Sequence, residues 1–156
     1  MSLAAPIAGT ELPDVFARWF ARRGWTPRAH QLELLGRARA GRSVLLIAPT
    51  GAGKTLAGFL PSLVELSATG PRPTSDLHTL YISPLKALAV DVARNLERPV
   101  AEMGLPVRVE TRTGDTPVSK RTRQRRYPPD ILLTTPEQIA LLVASTLRRC
   151  ATSSEP

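Results

Sequence analysis

One stretch, Ala48-Pro49-Thr50-Gly51-Ala52-Gly53-Lys54-Thr55, limits what this chain can become more than any other. The apolar run Val44-Leu45-Leu46-Ile47 before it reads as a buried strand, and Leu56 to Leu66 after it reads as a helix. A strand, a glycine-bearing loop ending in Gly-Lys-Thr and a helix form the arrangement that wraps a chain of phosphates. Ala48 stands where the usual pattern has its first glycine.

The chemistry explains the residue types. A triphosphate is bulky and anionic, so backbone must approach it closely, and Gly51 and Gly53 permit the conformations a Cβ would block. The amides of Thr50 to Lys54 and the start of the next helix then turn N–H groups toward phosphate oxygens. Lys54 is expected at the β- and γ-phosphates of ATP, and Thr55 at a Mg²⁺ that keeps most of its waters. A chance glycine turn is the plain alternative, but it does not call for a strand and a helix on either side.

The 156 residues suffice for one domain with a core, and 42% hydrophobic content is ordinary for a water-soluble fold. The net charge of +8 comes from 21 basic and 13 acidic residues, and all the basic ones except Lys54, Lys86 and Lys120 are arginines. This balance favours polyanionic partners, nucleic acid first, although a basic surface also serves solubility. Cys150 is the only cysteine, so an internal disulfide is excluded and a reducing compartment fits. His30 and His78 lie far apart without a cysteine cluster, which argues against zinc. Met1 to Gly9 lack a signal peptide's basic start and apolar core, and no apolar run approaches a membrane span. The cytoplasm is the expected compartment.

Residues 1–13 read as a loose arm. Asp14 caps a helix whose Phe16, Trp19 and Phe20 share one face. Pro27 suits the first turn of a second helix carrying Leu32, Leu35 and Ala38, closed by Gly41. Arg28 and Gln31, just upstream of the phosphate loop, suit a purine: the Gln31 amide matches the N6/N7 edge of adenine, with Arg28 beside it. A solvated helix start explains them equally well. Pro61 interrupts the helix after the loop, and Ser67 to Asp76 is a surface loop. Thr79 to Ile82 is a second strand, and Ser83-Pro84 opens a helix with Leu85, Leu88, Val92 and Leu96 on its apolar face. Val107 to Val109 is a third strand, Ile131 to Leu133 a fourth, and Pro136 starts a helix through Ile139, Leu142 and Val143.

Alternating strands and helices predict an α/β fold with a parallel sheet covered on both faces. Ligands of such sheets sit beyond the carboxyl ends of the strands. Four loops are expected on that rim: Ala48–Thr55, Ser83–Lys86, Thr113–Thr116 and Thr134–Glu137.

Taken together, these loops resemble the ordered motifs of superfamily 2 DEAD/DEAH (DEXH)-box helicases. Ala48 to Thr55 is similar to motif I, Tyr81-Ile82-Ser83-Pro84-Leu85-Lys86-Ala87-Leu88 to motif Ia, and Thr134-Thr135-Pro136-Glu137 to motif Ib. Thr113-Gly114-Asp115-Thr116 stands where the family has a glycine-containing loop, and Trp25-Thr26-Pro27-Arg28 to Gln31 resembles its adenine-reading motif. The wording is closest to the large helicase-related group. Within it, the bacterial ligase-associated DEXH-box helicases match best, through Gly58 to Leu63 and Arg112 to Thr116. The resemblance covers residues 14–144, which it reads as the amino-terminal part of a RecA-like ATP-binding domain, a parallel-sheet phosphate-loop NTPase incomplete at its carboxyl end. Residues 145–156 read as an atypical tail.

The resemblance implies roles. Thr50, Gly51, Ala52, Gly53, Lys54 and Thr55 would hold ATP and Mg²⁺, with Gln31 and Arg28 at the adenine. Ser83, Lys86, Thr113, Gly114, Thr134 and Thr135 would grip the backbone of a single-stranded or partly duplex nucleic acid, DNA favoured, without reading its sequence. Ser83 and Thr135, each before a proline, are also ordinary helix caps, and a capped helix start is itself a phosphate site. Lys120, Arg121, Arg123, Arg125 and Arg126 form a run read first as a solvated helix face and second as a further nucleic-acid contact.

In the family, a strand ending in Asp-Glu follows motif Ib: the Asp holds Mg²⁺ and the Glu activates water. After Glu137 the chain has one carboxylate, Glu155, with no apolar run before it, so no catalytic residue is identified. Motif III and a second motor domain bearing an arginine finger are not matched either. Phosphoryl transfer depends on positioning and charge stabilisation, so this chain alone is expected not to hydrolyse ATP efficiently. A fragment is the expectation, with unpaired apolar strand edges and poor solubility.

Three readings compete. The first is the amino-terminal portion of an ATP-dependent DNA helicase or translocase, with DNA-repair partners by resemblance. The second is a module that binds nucleotide or nucleic acid without hydrolysis. The third, an unrelated phosphate-loop kinase, does not account for the ordered loops after Lys54.

Overall fold

The computed structural model of the chain describes residues 11–69 and 76–152, the last seven of these by their backbone alone. Expectations for most of the amino-terminal arm, for 70–75 and for 153–156 lie outside these residues. The elements in order are α1 (Asp14–Arg22), α2 (Ala29–Arg39), α3 (Lys54–Thr69), β1 (Thr79–Ile82), α4 (Lys86–Met103), β2 (Val109–Arg112), α5 (Val118–Arg126), β3 (Ile131–Thr134) and α6 (Pro136–Thr152). They divide into two compact units, one of residues 1–71 and 98–106, the other of 72–97 and 107–156.

In the first unit, Phe16, Trp19 and Phe20 are buried, as their spacing predicts. Pro13 rather than Asp14 occupies the cap position of α1, and Asp14 instead places a carboxylate in the first turn, where it suits the helix dipole. The helix ends by hydrogen bonds from Gly24 N–H to the Ala21 carbonyl (3.0 Å) and from Trp25 N–H to the Phe20 carbonyl (2.9 Å), with Gly24 at φ 64°. This paired closure requires a left-handed residue and turns Trp25 back onto Trp19, their rings edge to face at 5.7 Å. The Trp19 indole donates to Glu102 (2.8 Å), which also accepts from Arg23 and Arg98. Leu35, Ala57, Leu60 and Leu63 are fully buried between and beneath α2 and α3, which pack on each other. Helix α3 continues through Pro61 to Thr69, two turns' worth of sequence beyond a simple proline stop, so residues 67–69 are helical rather than loop.

The second unit is built on a three-stranded parallel sheet in the order β1-β3-β2. Strand β3, Ile-Leu-Leu-Thr, is buried at all four positions, as a central parallel strand must be. Strand β2 starts two residues later than the Val107–Val109 expectation, since Val107 is buried ahead of the ladder. On α4 the buried face is Ala89, Val92, Ala93 and Leu96, whereas Leu85 and Leu88 are exposed. Val92 and Leu96 are buried as their spacing predicts, and the alanines at 89 and 93 complete that face in place of Leu85 and Leu88.

The strand expected at Val44–Ile47 does not form. Leu45 is 84% and Ile47 86% exposed, and the run has no place in the β1-β3-β2 sheet. A continuous apolar run becomes a strand only with neighbours on its edges and cover on its faces, and the described residues supply neither. Helix α6 continues through residue 152, across the boundary expected at 144.

Candidate nucleotide and nucleic-acid sites

The phosphate loop lies in the first unit. Gly51 and Gly53 take φ of 78° and 73°, as a loop wrapping an anion requires. Helix α3 begins at Lys54 itself, so its first N–H groups open on the loop. The Lys54 ammonium donates to the Ala48 and Pro49 carbonyls, both at 2.7 Å, folding back across the loop. Thr50, Lys54 and Thr55 are exposed, and Ala52 is buried.

Two residues of α2 hold this loop. The Gln31 amide oxygen accepts from the Arg28 backbone N–H (2.9 Å), which closes the start of the helix, while its nitrogen faces the Gly53 carbonyl at 3.4 Å. His30 Nε2 donates to the Ala52 carbonyl at 2.9 Å. A cleft of about 460 Å³, within the range of small-molecule sites, is lined by Phe20, Trp25, Arg28, Gln31, Gly51 and Gly53 among others. Arg28 and Gln31 therefore share one concavity with the loop glycines. The donor set suits a phosphate-bearing ligand: the two left-handed glycines expose backbone N–H groups, and a Cβ on Gly53 would press on the Gln31 amide nitrogen at 2.9 Å.

The other three loops lie in the second unit, together at the carboxyl ends of parallel strands. Ser83 follows β1, Thr113 and Gly114 follow β2, and Thr135 follows β3. Four of the six expected contact residues are buried: Ser83, Thr113, Thr134 and Thr135. Their groups hold the rim itself. Thr134 donates its hydroxyl to the Arg112 carbonyl (2.7 Å), and Ser83 donates to the Leu85 carbonyl (3.2 Å). The Thr135 hydroxyl donates to Glu137, which holds that carboxyl below its usual range. Thr113 N–H donates to the Thr116 hydroxyl at 2.9 Å. Lys86 and Gly114 remain exposed, and Lys86 pairs with Asp115 across the rim at 2.7 Å, raising the lysine's pKa.

The basic run forms α5, but it is more than a solvated face. Arg121 donates to the Thr116 carbonyl (2.7 Å) and ties the glycine loop down, and Arg123 pairs with Glu110 at 2.7 Å. Sequence reasoning missed His30 as part of the first site, and it named Thr116 and Arg121 only as members of a loop and of a basic run, without their bracing roles. Each acts on a backbone carbonyl or amide, a role that leaves no signature in residue spacing.

The comparisons agree with this architecture. The model of the DEAD/DEAH box helicase family matches residues 28–153. The Lhr helicase/uracil glycosylase of Escherichia coli (strain K12) is 42% identical over 163 aligned residues, covering 92% of this chain and 11% of that protein. The ATP-dependent helicase Lhr-Core of Methanothermobacter thermautotrophicus is 41% identical over 116 residues, covering 67% of the chain and 14% of its own length. Among solved structures, the Mycobacterium smegmatis helicase Lhr bound to ssDNA and AMP-PNP superposes with a TM-score of 0.77 at 37% identity, over 94% of this chain and 19% of that one. The chain thus spans between 11% and 19% of the length of these proteins. Its sheet, helices and ordered loops, together with these matches, place it in the DEAD/DEAH box helicase family.

Proposed function

We propose that this chain is the ATP-binding and nucleic-acid-binding amino-terminal portion of an ATP-dependent DNA helicase or translocase that works in the cytoplasm, in DNA repair. The observation that supports the reading most is that Gln31, Arg28, Gly51 and Gly53 line one cleft, where an amide suited to adenine would stand beside a phosphate cradle. Lys54 leaves the Ala48 and Pro49 carbonyls for the β- and γ-phosphates, Thr55 holds Mg²⁺, and the amides of Thr50, Ala52 and Gly53 line the phosphate chain. The metal would neutralise charge on the β- and γ-oxygens.

On the second unit, a single DNA strand lies along the rim at the ends of β1, β2 and β3. Lys86 and the Gly114 backbone contact phosphate, while Ser83, Thr113, Thr134 and Thr135 shape the loops that present them. The solved M. smegmatis Lhr complex, with ssDNA and AMP-PNP, supports this pairing of ligands.

A second reading, that this stretch taken by itself binds without hydrolysing, is favoured by one feature: its 156 residues contain no Asp-Glu pair. Titration with a fluorescent ATP analogue, and ATP turnover with and without single-stranded DNA, separate the two. Binding lost in Lys54→Ala supports the nucleotide site, and unchanged binding removes Lys54 from it. DNA-stimulated turnover by the chain alone would overturn the second reading; binding without turnover supports it.

A further inference from the structure

A second concavity lies within the second unit, lined by residues of β2, β3, α5 and α6. It measures about 310 Å³ and is walled by Leu77, Pro128, Pro129, Leu132 and Leu142. Arg112 lines it and is 3% exposed. Its Nε is buried and meets no hydrogen-bond acceptor. Arginine does not shed its proton in a protein, so this charge stays in the wall. The acids of the same unit that lie nearest along the sheet are committed. Glu110, two residues before Arg112 on the same strand face, accepts from Arg123 (2.7 Å) and Gln124 (2.8 Å). Asp130 accepts from the Arg108 backbone N–H at 2.8 Å. Instead of an anion, Arg112 faces the charges of Arg125 and Arg121, which with burial hold its pKa below the usual arginine value.

The cavity also holds an unmet acceptor. The Gln124 amide nitrogen is fixed by Glu110 and by the Thr111 carbonyl (3.1 Å), so the amide cannot turn over, and its oxygen is buried without a donor. Two arginines, Arg112 within the wall and the exposed Arg125 beside it, the Ser145 side chain, one unmet acceptor and an otherwise hydrocarbon lining define a ligand.

We propose that this cavity binds an aliphatic monocarboxylate, its carboxylate on the Arg112 guanidinium and its apolar tail against Leu132, Leu142 and Pro129. A carboxylate matches the edge of a guanidinium in charge and shape. Phosphate would meet the same two arginines and Ser145 but would leave the leucine and proline wall bare, whereas an aliphatic tail covers it. A ligand with an N–H close to its carboxylate also satisfies Gln124.

The test is calorimetric titration of the whole chain with 4-methylpentanoate, N-acetyl-leucine, 4-methylpentanamide and inorganic phosphate. The two acids are expected to bind saturably, N-acetyl-leucine the tighter, and each at least ~10-fold better than the neutral amide, as a charge-assisted hydrogen bond requires. Arg112→Met should abolish the preference for the acid. Leu142→Trp fills the cavity, keeps the guanidinium and should weaken both acids ~10-fold; it serves if Arg112→Met fails to fold. Equal binding of the neutral amide, tighter binding of phosphate, or full affinity in Leu142→Trp would each overturn the assignment.

Discussion

The Gln31 side-chain nitrogen lies 3.4 Å from the Gly53 carbonyl oxygen, so the residue suited to reading a base also braces the phosphate loop. Two features at position 53 work against a side chain, the backbone angle first and the end of the Gln31 side chain second. Its φ of 73° is left-handed, and a Cβ would stand 2.9 Å from Gln31 Nε2. Left-handed backbone costs an L-residue about 1–2 kcal/mol before any clash is counted. Gly53→Ala should therefore weaken binding of an ATP analogue by ~10-fold or more. Adding Gln31→Ala removes the clash and keeps the strain, so the double variant should recover only part of the stability lost, as read by denaturant unfolding.

Glu102 gathers Arg23, Trp19 and Arg98, and these donors, Arg23 first, lower its pKa from 4.5 to about 2. The folded value lies below the unfolded one, so the carboxylate's contribution is complete above pH 4.5 and is lost as pH falls toward 2. Wild-type stability should drop through that window. Glu102→Gln should be less stable than wild type at pH 7, and the two curves should converge by pH 2. Thermal unfolding of both proteins at stepped pH checks this.

The Thr116 hydroxyl, buried, is the acceptor for the Thr113 N–H at 2.9 Å. Thr116→Val keeps the shape and removes the acceptor, leaving a buried amide unsatisfied at a cost of about 1–3 kcal/mol. Denaturant unfolding should report that loss, and single-stranded DNA binding should fall with it, since the same loop presents Gly114. Thr116→Ser should retain most of both.

Much of this architecture was legible in the sequence, and the failures share a cause. Strand β3 shows as a short apolar run, α1 as a clean i, i+3, i+4 triplet, and the loop glycines as a fixed pattern, because each is a local requirement on a few consecutive residues. On α4 the spacing finds Val92 and Leu96 but not Ala89 and Ala93, because it ranks side chains by hydrophobicity and so prefers Leu88 to a neighbouring alanine. The resemblance sets Ser83, Thr134 and Thr135 against a nucleic-acid backbone, and what it leaves unsaid is that their side chains are buried. Their burial depends on partners such as the Arg112 carbonyl, 22 residues from Thr134, and such long-range pairs leave no trace in spacing.

Lys86 and Asp115 bridge the rim at 2.7 Å, yet their side chains are 63% and 73% exposed. A pair so exposed adds little to stability, because water already solvates both charges and salt screens them. Asp115→Asn should therefore leave the melting temperature nearly unchanged. The same substitution removes a negative charge from the rim and releases the lysine for phosphate. Affinity for single-stranded DNA at low salt should rise about two- to fivefold, and the salt dependence should steepen as one more counterion is displaced. Fluorescence anisotropy across a salt series reads both effects, and a fall in affinity would place the strand elsewhere.

Leu45 and Ile47 present large apolar side chains to water at 84% and 86% exposure, two residues apart in a run of four. Such a segment combines strand propensity with no charge, the pattern that pairs with another copy of itself. Replacing both by lysine puts like charges at the positions where a second strand would add, and costs no buried contact. Leu45→Lys with Ile47→Lys should raise the concentration at which the chain stays monomeric, measured by light scattering, with unchanged denaturant stability. Leu63→Lys is the control, because that side chain is fully buried and its charge would unfold the unit. If the surface pair aggregated as readily as the parent, self-association would have to start from another surface, and the exposed β1 residues Leu80 and Ile82 would be the next to change.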